Sequence, residues 1–122
     1  MEKKILIIDD SASVRDRIRE VLVGAGFDTI EAADGVEGLQ TIVARDDLAG
    51  VVCDVNMPRM SGLQMLGFMK AKGRLEGLPV VMLTTEGQAS LVQQAKVAGA
   101  KGWVVKPFKP ESLVAAVLRV TR

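Results

Sequence analysis

Short apolar runs alternate with stretches of helical spacing five times along this chain, and this alternation limits most strongly how it can fold. The apolar runs are rich in Val and Ile and lack strict alternation of polar and apolar residues, which is typical of strands buried on both faces. They occupy residues 4–8, 29–32, 51–53, 80–83 and 103–105. Apolar residues at helical spacing follow each run, within residues 14–25, 36–43, 63–70, 91–98 and 113–120.

Five strand–helix units with short connections predict a parallel sheet with right-handed crossovers and helices on both faces. We therefore expect an α/β fold of five strands and five helices, arranged as a three-layer α/β/α sandwich. Ser11 or Ser13 can cap the first helix, and Pro110 suits a first helical turn. Asp34, with Glu37 three residues later, resembles a capping box.

Composition narrows the classes of function. The chain is 48% hydrophobic and 25% charged, as in ordinary globular proteins, and its 122 residues suit one domain over residues 1–122. Sixteen basic residues against 15 acidic ones leave a net charge of +1, so we expect no binding of nucleic acid. The first residues contain too few consecutive apolar positions for a signal peptide or a membrane span. We expect a cytoplasmic protein with no membrane attachment.

Two residue types limit the chemistry further. Cys53 is the only cysteine, which excludes an intrachain disulfide, and its apolar surroundings favour a buried structural thiol. The chain has no histidine, which excludes histidine-based catalysis and histidine metal ligands. Any chemistry must therefore rest on carboxylates, hydroxyls and lysines.

Polar side chains of these types follow four of the five apolar runs. Asp9 and Asp10 follow the first run, Asp54 the third, Thr84 the fourth and Lys106 the fifth. Sites in open parallel sheets form at the carboxyl ends of the strands. We therefore expect these five side chains to converge on one edge of the sheet.

Such a group of side chains points to phosphoryl chemistry. Clustered carboxylates repel one another, so a cation should lie among them. An incomplete shell of oxygen ligands suits Mg²⁺, which retains water and accepts phosphate oxygens. Lys106 and the Thr84 hydroxyl would meet the charge of a transferring phosphoryl group, and a carboxylate could be the nucleophile, giving an acyl phosphate. The pattern predicts Mg²⁺ as cofactor.

Each of these residues also has a structural interpretation. Asp9 or Asp10 could form an Asx turn or cap the first helix. Asp54 and Thr84 could be turn formers, and Lys106 could be a solvated charge. The coincidence of all of them at four strand ends favours the functional interpretation.

Four segments resemble a known family: residues 7–11 (IIDDS), 54–62 (DVNMPRMSG), 83–86 (LTTE) and 102–108 (GWVVKPF). In order and spacing they are similar to a response-regulator receiver domain, most closely of the single-domain CheY type, and the similarity spans essentially the whole chain. The resemblance implies a flavodoxin-like, doubly wound sheet of strand order 2-1-3-4-5, the order of the CheY type. It also implies two-component signalling, in which a histidine kinase phosphorylates the chain to control a downstream protein target, with chemotaxis as one such process.

The resemblance further implies roles at the matched positions of the phosphoryl site. Asp54 is then the phosphoacceptor. Asp9 or Asp10, Asp54 and the backbone carbonyl of Asn56 hold Mg²⁺, with Asp10 favoured over Asp9 as a direct ligand. On this basis the chain catalyses only its own phosphorylation and dephosphorylation, and we do not class it as an enzyme.

A second set of implied roles concerns switching. Thr84 is expected to move toward the phosphoryl group, and Lys106 to pair with it, with a cis bond to Pro107. The face built from helix 4, strand 5 and helix 5 is then remodelled. Trp103 stands on this face where the family usually has tyrosine. The larger ring could be restricted in turning inward, could stay outward as a partner contact, or could simply pack against helix 4.

Two positions implied by the resemblance tune dephosphorylation. Asn56 lies two residues after Asp54, and Glu86 lies two residues after Thr84. Their identities resemble the CheY type, which predicts a short-lived phosphoryl signal. We expect a monomer, and dimerisation through the helix 4 face stays open.

Three other functions share part of this pattern. The chain could be a phosphate-sink or relay receiver without a dedicated target. A metal-dependent phosphohydrolase usually has a second aspartate where this chain has Asn56. A flavodoxin-like cofactor binder is disfavoured by only 3% aromatic residues and by the lack of a Ser/Thr/Gly-rich loop after the first strand.

Overall fold

The structure is a computed structural model that describes residues 4–85 and 89–121. Strands and helices alternate along it: β1 (Lys4–Ile8), α1 (Ala12–Gly24), β2 (Asp28–Ala32), α2 (Gly35–Ala44), β3 (Leu48–Asp54), α3 (Gly62–Ala71), β4 (Val80–Thr85), α4 (Ala89–Val97), β5 (Gly102–Lys106) and α5 (Pro110–Thr121). All strand pairs are parallel, and the order is β2-β1-β3-β4-β5. The predicted fold class and the implied strand order are both confirmed.

The core has two halves, one on each face of the sheet. Successive residues of β1 illustrate this, because Leu6 and Ile8 belong to one cluster while Ile5 and Ile7 belong to the other. Helices α2, α3 and α4 cover the first face, and α1 and α5 cover the second. The central strands are therefore buried on both faces, which explains their nearly continuous apolar sequence.

Strand β3 begins earlier than its apolar run predicts, at Leu48 instead of residue 51. Its first residues pair with β1, with a register shift between Lys4 and Ile5. Gly50 interrupts the apolar run of β3 because glycine has no side chain. A Cβ at Gly50 would lie 3.2 Å from Thr121 Cγ2 of α5, so close packing with that helix accounts for the glycine.

Hydrogen-bonding side chains begin the first three helices. Ser11 caps α1 and Asp34 caps α2, where its side chain accepts the Glu37 N–H. Ser11 is one of the two caps predicted for α1, and the structure shows the Asp34 half of the capping box predicted with Glu37. A reciprocal capping box that was not predicted joins Ser61 and Gln64 at the start of α3.

A further expectation concerns the burial of Cys53. Cys53 is fully buried, as predicted, and its thiol donates to the Asp54 carbonyl at 3.3 Å. Burial raises the pKa of the Cys53 thiol, so the group stays protonated at neutral pH.

In the described part of the chain, no helix combines the length and the apolar character needed to cross a bilayer.

Candidate functional site

The polar residues predicted to follow the strands lie at the carboxyl edge of the sheet. Asp9 and Asp10 come directly after β1, whereas Asp54, Thr84 and Lys106 form strand positions. The strands extend beyond their apolar runs because backbone pairing continues through the polar residues. Asp54 pairs with Leu83, and Thr84 pairs with Val105.

Lys106 joins two of the carboxylates. Its Nζ donates to Asp9 Oδ2 at 2.9 Å and to Asp54 Oδ2 at 3.1 Å. The two carboxylate side chains are 1% and 12% exposed, while that of Lys106 is 24% exposed. An ammonium group held by two nearly buried carboxylates is a fixed charge of the site and not a solvated surface lysine.

Asp9 has a structural role as well as an electrostatic one. Its Oδ1 accepts the Ser11 N–H at 2.9 Å, which forms the Asx turn that the structural interpretation anticipated. Its carbonyl accepts a hydrogen bond of 2.5 Å from Arg15, whose guanidinium also pairs with Glu31 of β2. Both carboxylate oxygens of Asp9 therefore have protein partners.

Asp10 completes an acidic cluster and, unlike Asp9, is exposed. One carboxylate oxygen from each of Asp9, Asp10 and Asp54 lies within 4.8 Å of the other two. Carboxylate oxygens at this spacing, with one member open to solvent, fit a divalent cation that keeps part of its water shell. The donor set of the site is therefore suited to Mg²⁺.

Burial and charge act in opposite directions on the ionisable groups. Burial raises the pKa of Asp54, although the hydrogen bond from Lys106 opposes this, and the net pKa is raised. Burial also disfavours the charged form of Lys106, but its bonds to Asp9 and Asp54 prevail and raise the pKa of Lys106. At neutral pH the site combines a charged ammonium with a carboxylate whose ionised form is poorly solvated.

Thr84 supplies a hydroxyl to the same edge. The residue is 2% exposed, and Thr84 Oγ1 is buried without a hydrogen-bond partner among the described atoms. A buried hydroxyl with no partner costs free energy and is uncommon in native proteins. A buried hydroxyl at the same edge of the sheet as a carboxylate and an ammonium fits the binding of a phosphate oxygen.

Replacing Thr84 by valine is expected to stabilise the protein by about 1 kcal/mol, because the cost of the unpaired hydroxyl disappears while the shape is kept. Urea unfolding measures the difference in the free energy of unfolding. The control is Thr41→Val, since the Thr41 hydroxyl donates to the Glu37 carbonyl and its loss should give no gain. A clear destabilisation by Thr84→Val would show that the hydroxyl has a partner.

The two residues implied in dephosphorylation are placed differently. Asn56 is exposed, and its backbone N–H donates to Asp54 Oδ1 at 3.3 Å. Glu86 lies outside the described residues.

The bond between Lys106 and Pro107 is cis, in agreement with the resemblance.

Trp103 lies on the sheet face that carries α4, since its register partner is Met82 of that half of the core. The side chain points outward and is 39% exposed. Lys96 of α4 lies over the ring, with Nζ 5.9 Å from its centroid. The ring therefore lies outward and in contact with α4 in this structure.

Two contacts that hold the loops of this edge were not predicted from the sequence. One is the bond from Arg15 to the Asp9 carbonyl. The other is an ion pair between Arg59 and Asp34. The sequence predicts Asp34 only as a helix cap, and the ion pair has no local signal because the two residues are 25 positions apart.

Comparison with known proteins places the chain in a family. The family model described as the response regulator receiver domain matches residues 5–118. The chain is 37% identical over 111 residues to a chemotaxis protein CheY homolog of Campylobacter jejuni, covering 90% of this chain and 85% of the relative. It is 38% identical over 111 residues to chemotaxis protein CheY1 of Helicobacter pylori, covering 90% of each chain. The solved structure of chemotaxis protein CheY4 of Vibrio cholerae has a TM-score of 0.89 at 37% identity, over 98% of this chain and 99% of that one.

The doubly wound parallel sheet, with its acidic carboxyl edge, defines a flavodoxin-like α/β protein. Within that class, the chain belongs to the response regulator receiver domain family. It is a response regulator domain of two-component signal transduction, as the resemblance implied, and such domains are signalling proteins that act with a histidine kinase or another partner.

Proposed function

We propose that this domain is a switch in which Asp54 accepts a phosphoryl group from a histidine kinase in the presence of Mg²⁺. The observation that carries the proposal is the environment of Asp54, whose Oδ2 lies 3.1 Å from Lys106 Nζ. The carboxylates of Asp9 and Asp10 lie beside it. A nearly buried carboxylate with a fixed cation and two further carboxylates close to it suits a nucleophile for phosphorus.

Asp10, Asp54 and the backbone carbonyl of Asn56 are the proposed Mg²⁺ ligands. Asp10 is favoured over Asp9 because both oxygens of Asp9 already accept hydrogen bonds, from Ser11 and Lys106. Bound Mg²⁺ would neutralise charge on the phosphoryl oxygens and on the carboxylates. Asp9 then supports the site indirectly, through Lys106.

In the transfer, an Asp54 carboxylate oxygen forms a bond to phosphorus while the bond from phosphorus to the donor's imidazole nitrogen breaks. The nitrogen keeps the electron pair, so charge is conserved between the two proteins. Lys106 Nζ meets the charge of the phosphoryl oxygens, and Thr84 Oγ1 donates to one of them. The new acyl phosphate then offers a partner to the buried Thr84 hydroxyl, which has none among the described residues.

Movement of Thr84 toward the phosphoryl group is proposed to act on the neighbouring strand β5. Thr84 is the register partner of Val105, two residues from Trp103. The output face comprises α4, β5 and α5, and its strand carries the exposed apolar side chains of Trp103 and Val105. Phosphorylation would shift this face between two conformations with different affinity for a target protein.

Several further properties are proposed with the same reasoning. The whole chain forms one receiver domain, works in the cytoplasm as a monomer, and catalyses only its own phosphorylation and dephosphorylation. Asn56 and Glu86 tune dephosphorylation. The similarity to chemotaxis proteins supports chemotaxis as the process.

A titration with beryllofluoride, a phosphoryl mimic, tests the coupling between the site and the output face. We expect a saturable change in the fluorescence of Trp103, the only tryptophan, that requires Mg²⁺. Its physical cause is a change in the ring's surroundings, which now include solvent and Lys96.

Asp54→Ala should lose the response, whereas Asp46→Ala, which removes an exposed carboxylate ahead of β3, should keep it. A response of equal size without Mg²⁺, or in Asp54→Ala, would contradict the proposed site. A flat signal from a protein that still binds beryllofluoride would contradict the coupling to Trp103.

A further inference from the structure

The loop between β3 and α3 carries the Asn56 carbonyl, and the structure shows how its two ends are held. Val55 N–H donates to the Leu83 carbonyl of β4 at 3.1 Å, and Gly62 N–H donates to the Val55 carbonyl at 2.9 Å. Asn56 N–H adds a bond of 3.3 Å to Asp54 Oδ1. These bonds close the base of the loop. Within residues 57–60, Met60 N–H donates to the Pro58 carbonyl at 2.7 Å, and Met57 and Met60 pack against the core.

An ion pair holds the outer part of the loop. Nε and Nη2 of Arg59 donate to Asp34 Oδ2 at 2.9 and 2.6 Å. Asp34 Oδ1 accepts the Glu37 N–H at 2.9 Å, so the carboxylate is fixed on the first turn of α2. This backbone bond, together with Arg59, lowers the pKa of Asp34 despite its burial. Asp34 is therefore a charged anchor, and Arg59 is attached to it by two hydrogen bonds.

Two backbone features show that the loop is fitted to this anchor. Arg59 adopts φ +65°, a left-handed conformation that is uncommon for a residue other than glycine. The Met60 carbonyl packs against Gly35, where a Cβ would come within 2.6 Å of the carbonyl oxygen. A conformation with an intrinsic cost persists only where its surroundings favour it, and the Asp34–Arg59 pair provides such surroundings.

We propose that Asp34 and Arg59 are positioning residues for the Mg²⁺ site, which they hold in shape by fixing the loop that carries the Asn56 carbonyl. The inference rests on the proposed function. Neither residue touches the ion or the phosphoryl group. Mg²⁺ demands nearly regular octahedral geometry, so a carbonyl ligand on a loosened loop binds it less well.

The test is Mg²⁺ affinity, measured by isothermal titration calorimetry on the full chain. Arg59→Asn removes the guanidinium but keeps a residue type that tolerates left-handed backbone. We expect its Mg²⁺ affinity to fall about fivefold, somewhat less than the tenfold or more typical of direct partners of metal ligands. Loss of a positive charge alone would leave the affinity for a cation unchanged or higher, so the sign separates positioning from electrostatics.

Three further variants sharpen the result. Asp34→Asn keeps a good N-cap side chain but breaks the ion pair, and the double variant should bind Mg²⁺ no more weakly than the weaker single variant. Arg59→Lys keeps the charge without the fork and should recover part of the affinity. Arg45→Asn is the matched control, because it breaks an Arg–Asp pair at the other end of α2 and should leave Mg²⁺ affinity unchanged.

Thermal unfolding in Mg²⁺-free buffer accompanies each titration, to show that the variants are folded. If Arg59→Asn and Asp34→Asn lower only the melting temperature and bind Mg²⁺ like the wild type, the pair is a structural link alone and the inference is wrong. Tighter binding by Arg59→Asn would also overturn it. If the wild type itself binds no Mg²⁺, the proposed function fails and the inference fails with it.

Discussion

Replacing Asp54 by asparagine is expected to abolish phosphorylation and, in Mg²⁺-free buffer, to make the folded protein more stable. The first effect follows because the nucleophilic carboxylate is lost. The second follows because burial raises the pKa of Asp54, which means that the fold disfavours its ionised form. Lys106 retains its bond of 2.9 Å to Asp9 in the variant. We expect the free energy of unfolding to rise by about 1 kcal/mol, which is typical when a functional group that destabilises the fold is removed.

The gain should depend on pH in a defined direction. A carboxyl group whose pKa is raised by folding contributes stability below its unfolded pKa of about 3.9, and this contribution is lost as pH rises through the folded pKa. The wild type loses stability over that window, while Asp54→Asn does not. The difference in unfolding free energy between the two should therefore be largest at neutral pH and vanish below about pH 4.

Thermal unfolding at several pH values and intact mass after acetyl phosphate treatment measure the two effects. Asp46→Asn is the control for losing an exposed carboxylate, and should change neither. A phosphoryl adduct on Asp54→Asn at the wild-type level would place the phosphoacceptor elsewhere. A less stable Asp54→Asn protein at neutral pH would contradict the electrostatic account of the site.

Lys106→Met is expected to have the opposite effect on stability. Asp9 and Asp54 are both nearly buried and both bond to the Lys106 ammonium, so its loss leaves two carboxylates without their counter-charge. Removing one partner from a buried ion pair typically costs 3–5 kcal/mol, and we expect about 2 kcal/mol here since the lysine is partly exposed. Added Mg²⁺ should restore part of the loss, because the cation again balances the carboxylates.

Urea unfolding with and without Mg²⁺ measures this result. Lys101→Met is the control, since it removes an exposed lysine just before β5. We expect Mg²⁺ to stabilise Lys106→Met by more than it stabilises the wild type or the control. Equal stabilisation of all three proteins would mean that Lys106 and Mg²⁺ do not act on the same carboxylates.

Local patterns explain why so much of the fold was predictable. Buried parallel strands read as apolar runs, so the alternation of strand and helix was visible in the sequence. The position of Asp54, Thr84 and Lys106 at one edge followed from the strand–helix order alone. The order of the strands could not be predicted from the alternation of strands and helices, because many orders are compatible with that alternation. The order was predicted from the family resemblance. The start of β3 was missed because Gly50 interrupts an apolar run for a reason that lies in α5.

The rest of the site depends on distances that no local pattern contains. Asp34 and Arg59 are 25 residues apart, and each has an ordinary local interpretation, as a cap and as a loop residue. The burial of Thr84 Oγ1 without a partner in residues 4–85 and 89–121 depends on how the neighbouring strands and helices pack around it. The family resemblance already favoured Asp10 over Asp9 as a metal ligand, and the hydrogen bonds of Asp9 add a physical reason for it.

The central claim is that Asp54 is the phosphoacceptor of a Mg²⁺-dependent site. The most direct measurement is to treat the wild type with acetyl phosphate, with and without Mg²⁺, and then with borohydride, which reduces an acyl phosphate of aspartate to homoserine. Peptide mass mapping locates the converted residue. We predict homoserine at position 54 alone, and only with Mg²⁺. Conversion of Asp9 or Asp10, conversion that does not need Mg²⁺, or no conversion at all would contradict this account.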